Sequence, residues 1–259
     1  MKLINILFIL SLLIFMGCND DEGEVTLEPG AFVLEFDNRA GTTNLQLNTE
    51  YTNENGDPFN VTMLKYYISH IKLTDTEGNV FEDPTTDDGS KGYYLIDASE
   101  PESTEITLND IPAGDYVKLE FTIGVDANRV SEGAQTGALD PVNEMFWSWN
   151  AGWIFYKFEG TSPHSTEDGN VVVYHVGGYK DEGQNLRNNI KTKAMTFDGA
   201  VQVAANKKPQ AHIVMDLLQV FKEPTTLDFS TNAQRHSPAS CVEIADNYVD
   251  AFILDHIHE

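Results

Sequence analysis

Seven histidines, His70, His164, His175, His212, His236, His256 and His258, are the side chains in this sequence best suited to hold a transition-metal ion. The densest local signal is His256-Ile257-His258. If that stretch is extended, both imidazoles lie on one face and can share an ion. If it is helical they diverge by about 200° and cannot. His236 stands beside Ser237-Pro238, a helix-start signature, from which its ring can project into a loop-built cleft. His175 closes an apolar strand just before Gly177-Gly178, where backbone can approach closely. His175, His236, His256 and His258 are therefore the candidate metal ligands, with His175 and His236 expected to approach each other. No zinc-finger spacing and no His-Glu-x-x-His occurs, and the acidic loop Glu82 to Gly89 lacks the order of a calcium loop. There is no Gly-x-Ser-x-Gly either, and the reading is of a binding protein, not an enzyme.

A second concentration of chemistry is aromatic. All three tryptophans, Trp147, Trp149 and Trp153, lie among Phe146, Phe155, Tyr156 and Phe158. Rings on both parities of one strand describe the centre of a sandwich as well as they describe a site.

The elements that must position these groups are mostly strands. Val117, Leu119, Phe121 and Ile123 alternate with polar residues, and Ala31 to Asp37, Asn44 to Thr52, Tyr93 to Asp97, Ser103 to Leu108, Asn170 to Val176, Asn189 to Phe197 and Ala211 to Phe221 are further candidates. In the stretch from Leu64 to Leu73 the apolar parity switches after Ile68, which predicts a β-bulge near Ser69-His70 and re-aims His70. Cys241, Ala245, Tyr248 and Phe252 recur at helical spacing. The fold class is all-β: an antiparallel β-sandwich of roughly eight to ten strands with a short C-terminal helix.

Residues 1–17 read as a signal peptide, with Lys2 before an apolar run that ends at Gly17-Cys18. Cys18 is then the lipidation site, so a lipid anchor holds the protein to a membrane. Residues 18–30 form an acidic tether, and residues 31–259 form the folded domain. With Cys18 lipidated, Cys241 is left as a buried, inert thiol. The formal net charge of −25 gives no footprint for nucleic acid.

The wording of several segments narrows the reading. Gly124-Val125-Asp126, Gly133 to Pro141, Met145-Phe-Trp-Ser-Trp-Asn150 and Gly152-Trp-Ile-Phe155 resemble the MbnP-like family. So do Met63 to Ser69, His175-Val-Gly-Gly178, His236-Ser237 and Asn247-Tyr248, and the resemblance runs from about Ala31 to the C-terminus. The family takes its name from a member encoded beside the copper chelator methanobactin. The resemblance implies copper as the bound ion and a mostly β scaffold outside the cytoplasm. It also implies a diheme peroxidase-like partner that oxidises a tryptophan to kynurenine, an idea carried over to Trp147 and Trp149. The acidic run behind Cys18 resembles a surface-export signal of Bacteroidetes lipoproteins and implies the outer membrane. Methanotroph members carry an Asn-His pair after the Gly-Val turn, whereas this chain reads Asp126-Ala-Asn-Arg129. Two functions stay open: an anchored copper-capture or storage protein, and a surface-exposed β-sandwich lipoprotein, structural or ligand-binding, without a copper site.

Overall fold

The computed structural model describes residues 28–130, 132–148, 152–179 and 188–259. Cys18, the signal segment 1–17, most of the 18–30 tether and Trp149 lie outside the described residues.

Two sheets enclose the main core. The smaller runs Phe252–His258, Gln210–Asp216, Gly30–Ala40, Thr43–Asn44, with Glu105–Ile111 also on Gly30–Ala40. The larger runs Lys191–Val203, Gly114–Ile123, Pro58–Asp75, Gly152–Thr161, Val171–Gly177, Gln234–Arg235, with shorter strands added to Pro58–Asp75 and Gly152–Thr161. Alternation sends Phe32, Leu34 and Phe36 inward from the small sheet to meet Tyr66, Phe121 and Phe158 of the large one. Phe36 lies edge-on to both Tyr66 and Phe121, with ring centroids 6.2 and 5.7 Å away.

The expectation of a purely antiparallel sandwich is corrected: the sheets are mixed. Gly30–Ala40 pairs in parallel with Gln210–Asp216, and Val171–Gly177 with Gln234–Arg235. A tight hairpin forces antiparallel pairing, but neither of these pairs is joined by one, so direction is free. The helix expected at the C-terminus is also not the last element. Val242–Ala251 is helical and buries Ala245 and Tyr248, with Cys241 buried just before it. At Phe252 the pattern changes to period two, and Phe252–His258 returns as an edge strand of the small sheet. Ala211 to Phe221 similarly divides at Asp216, whose carboxylate accepts from the Leu218 amide and starts the short helix Leu217–Val220.

The bulge lies where the parity breaks. Pairing of Pro58–Asp75 with Gly114–Ile123 shifts register between Ser69 and Lys72, and His70 takes φ 49°.

The aromatic stretch is core on both faces. Phe146–Ser148 and Gly152–Thr161 are strands. Tyr156 and Phe158 point into the main core. Trp153 and Phe155 point the other way, into a second cluster with Tyr67, Val125, Val130, Leu139 and Met145. Trp147 is half-buried against that cluster.

Candidate metal centre

On the small sheet, the residues that alternate with the core-facing ones point away from it. In Gly30–Ala40 these include Glu35 and Asp37, and in Gln210–Asp216 they include Gln210 and His212. The edge strand needs a correction to join them. Phe252 faces the core, so strict alternation would turn His256 and His258 inward as well. Its register with Gln210–Asp216 shifts between His212 and Ile213, leaving Asp255 as an extra residue. That bulge rephases the strand: Ile257 packs on the core while His256 and His258 face outward. Glu35, His212 and His256 then stand in line across three strands, with His258 one step further along beside Gln210.

The three rings form one cluster. His212 and His256 stack at 4.4 Å between centroids, and His258 stands edge-on to both at 4.9 and 4.6 Å. One ligand nitrogen from each of the three lies within 4.8 Å of the others. His256 Nε2 and His258 Nε2 are 3.1 Å apart, and two nitrogens each about 2.0–2.1 Å from an ion would subtend about 98° at that spacing. That angle lies between square-planar and tetrahedral values, so the pair is already spaced as ligands of one ion. His256 Nδ1 is 3.1 Å from Asp255 Oδ2, which holds the proton on Nδ1 and turns the Nε2 lone pair outward. Glu35 Oε2 lies 3.3 Å from His212 Nε2, and Glu35, Asp37 and His212 form a second set of donors sharing that ring.

The sequence reading named His256 and His258 but missed His212 and the two carboxylates. Their signal was parity: each lies on the polar face of a strand. Only the strand pairing, which no local motif records, brings them together.

His175 and His236 lie elsewhere, at the larger sheet. His175 Nε2 is 2.8 Å from Glu159 Oε1, and burial holds its pKa below the usual imidazole value, against the pull of Glu159. The nearby Lys157, and after it His236, act in the same downward direction. Among the described residues neither belongs to a set of three donors. Cys241 is buried next to His175; its thiol donates to the His175 carbonyl at 3.3 Å, and burial pushes its pKa up to about 11.

The segment Asp126-Ala-Asn-Arg129 holds a different network. The Arg129 side chain is buried: Nε donates to the Tyr93 hydroxyl at 3.2 Å, Nη2 to the Thr86 carbonyl at 2.6 Å, and Nη1 to Glu132 at 2.7 Å. A guanidinium keeps its charge and cannot ligate, so it opposes a cation there. His70 Nε2 meets Asp126 Oδ2 at 3.1 Å, and its Nδ1 lies 3.5 Å from Glu82. The Asp126 hydrogen bond raises the His70 pKa, although burial opposes it. Burial alone would raise Asp126, but the hydrogen bonds from His70 and Tyr93 outweigh it and hold the carboxyl at about 2. Because the folded pKa of His70 is raised, its contribution to stability is complete below about pH 6.5 and is lost as pH climbs through the folded value. His70→Gln should therefore lower Tm more at about pH 5.5 than at about pH 8.5, as read by circular dichroism; an equal loss at both would exclude the linkage.

Comparison with known proteins comes down to one family. The family model described as MbnP matches residues 29–242. None of the curated proteins matches. Among solved structures, MbnP from Methylosinus trichosporium is similar in fold, with TM-score 0.53 and 16% identity over 79% of this chain and 80% of that one.

Proposed function

The chain belongs to the MbnP family, and from that premise we propose that it is a non-catalytic copper-binding protein of the cell envelope. The observation that carries the proposal is the convergence of His212, His256 and His258, with two Nε2 atoms 3.1 Å apart. Imidazole suits copper, and the formal net charge of −25 favours the approach of a cation. The ion is the cargo, captured or stored. Protein purified without chelators and titrated with copper should hold one equivalent at this centre; no bound copper at micromolar concentrations would overturn the assignment.

One observation favours the second reading, a surface module without copper. Asp126-Ala-Asn-Arg129 stands where the family resemblance implies an Asn-His pair, and Arg129 brings a fixed positive charge there. The imidazole cluster on the small sheet answers that objection, since it is a separate set of ligands.

Membrane attachment is part of the proposal. No helix among the described residues is long and apolar enough to cross a membrane; in the proposed reading a lipid on Cys18 supplies the anchor. Cys18→Ser should move the protein from the membrane fraction to the soluble envelope fraction. Retention of the variant in the membrane would count against the lipid anchor. The diheme peroxidase-like partner belongs to the same reading. Trp147, half-buried against Gly177, and Trp149 are the residues it would oxidise. An intact mass matching the unmodified chain would remove that partner from the account.

A further inference from the structure

The small-sheet centre holds more than imidazole. Two sets of three donors overlap there: His212, His256 and His258, and Glu35, Asp37 and His212. We propose that this centre is selective for a divalent ion, Cu(II) or Zn(II), over Cu(I), and that Glu35, beside His212, is the carboxylate that supports a shell of three imidazoles. The proposal rests on the metal-binding reading above and specifies the class of ion.

The donor chemistry carries it. Cu(I) is selected by thiolate and thioether ligands, whereas imidazole with carboxylate suits divalent ions. Neither Met215 nor Cys241 offers sulfur to this face. Met215 belongs to the strand that carries His212 but is fully buried in the main core, and Cys241 is buried beside His175 at the other sheet.

The surrounding charges distinguish the two carboxylates. Asp37 is paired with Arg39 Nη2 at 3.0 Å, and the same guanidinium lies 3.9 Å from Asp255. Asp255 also serves His256 Nδ1. Glu35 accepts a neutral amide from Gln210 and faces His212 at 3.3 Å, in line with His212 and His256 across the strands. Its negative charge is thus the one not already balanced by Arg39. Three neutral imidazoles bring no charge, so a carboxylate that reduces the net charge of a bound dication is favoured more strongly than it would be beside a monocation. Only His212 is common to the two sets, so Glu35 acts on an ion held by the three imidazoles through that ring and through its charge.

The family match ends at residue 242, and His256 and His258 lie beyond it.

The test is competition titration of the full chain with Cu(II), Zn(II) and, anaerobically, Cu(I), each against a chromophoric chelator. Wild type is compared with Glu35→Gln and Asp37→Asn, and circular dichroism checks that each is folded. Both changes are at the sheet surface. Expected is one equivalent of Cu(II) or Zn(II), with affinity for both falling about tenfold or more in Glu35→Gln and much less in Asp37→Asn, and with Cu(I) weak in all three proteins. Tight Cu(I) binding that ignores Glu35→Gln would overturn the proposal and leave the copper-binding reading standing. A wild type that binds none of the three ions would overturn both.

Discussion

Alanine at both His256 and His258 is expected to lower copper affinity at least about a hundredfold while leaving the fold unchanged. Even groups that only orient metal ligands cost about 10- to 100-fold in affinity when removed, so losing two direct ligands sets that figure as a lower bound. The structure should tolerate the change because both side chains are exposed on the outer face of an edge strand. The strand's inward residues, Phe252 and Ile257, hold it on the core without them. His175→Ala with His236→Ala is the matched control. These rings are also histidines on the same chain, but they lie at the larger sheet, and among the described residues neither belongs to a set of three metal donors. Copper titration should separate the two pairs clearly. Equal loss in both would place the ion elsewhere, and no loss in the first would refute the centre.

Trp153→Ala is expected to cost about 3–5 kcal/mol of stability, the range for removing a large buried ring. For a chain of this size that corresponds to a fall in Tm on the order of 10 °C. The indole is fully buried, packs against Phe146 with centroids 4.6 Å apart and meets Tyr67 edge-on at 6.4 Å. Its Nε1 donates to the Arg129 carbonyl at 3.4 Å. The substitution therefore opens a cavity in the second cluster and also loosens the segment that presents Arg129. Trp147→Phe should cost far less, because Trp147 is only half-buried and the smaller ring fills most of the same place. Urea denaturation of the two variants tests the contrast. Equal midpoints would mean that Trp153 is not the keystone of that cluster.

Local features were legible in the sequence where one segment held all the information. The parity switch after Ile68 marked the bulge at His70, and Ser237-Pro238 marked the helix start, where the Ser237 and Ser240 side chains form a capping box. The aromatic block read as a strand buried on both sides, and Gly152–Thr161 is one. What was hidden depends on pairing. Nothing in the wording of Ala211–Met215 shows that this strand lies between Gly30–Ala40 and Phe252–His258, so His212 had no visible partners. The bulge at Asp255 was equally hidden, because the alternation of Phe252 to His258 can be phased either way until its register with His212 is known. Ion-pair geometry is hidden for the same reason. Glu35 and Asp37 differ in sequence by two positions and in chemistry by one methylene, and only the placement of Arg39 tells them apart.

The proposed centre requires His212 to join His256 and His258 around one ion. Electron paramagnetic resonance of the full chain loaded with one equivalent of Cu(II) tests it most directly, through the nitrogen couplings of the bound imidazoles. Wild type should show three coordinating imidazole nitrogens, and His212→Ala should show two with weaker binding. A spectrum that is unchanged by His212→Ala, or that matches hydrated copper in the wild type, would contradict it.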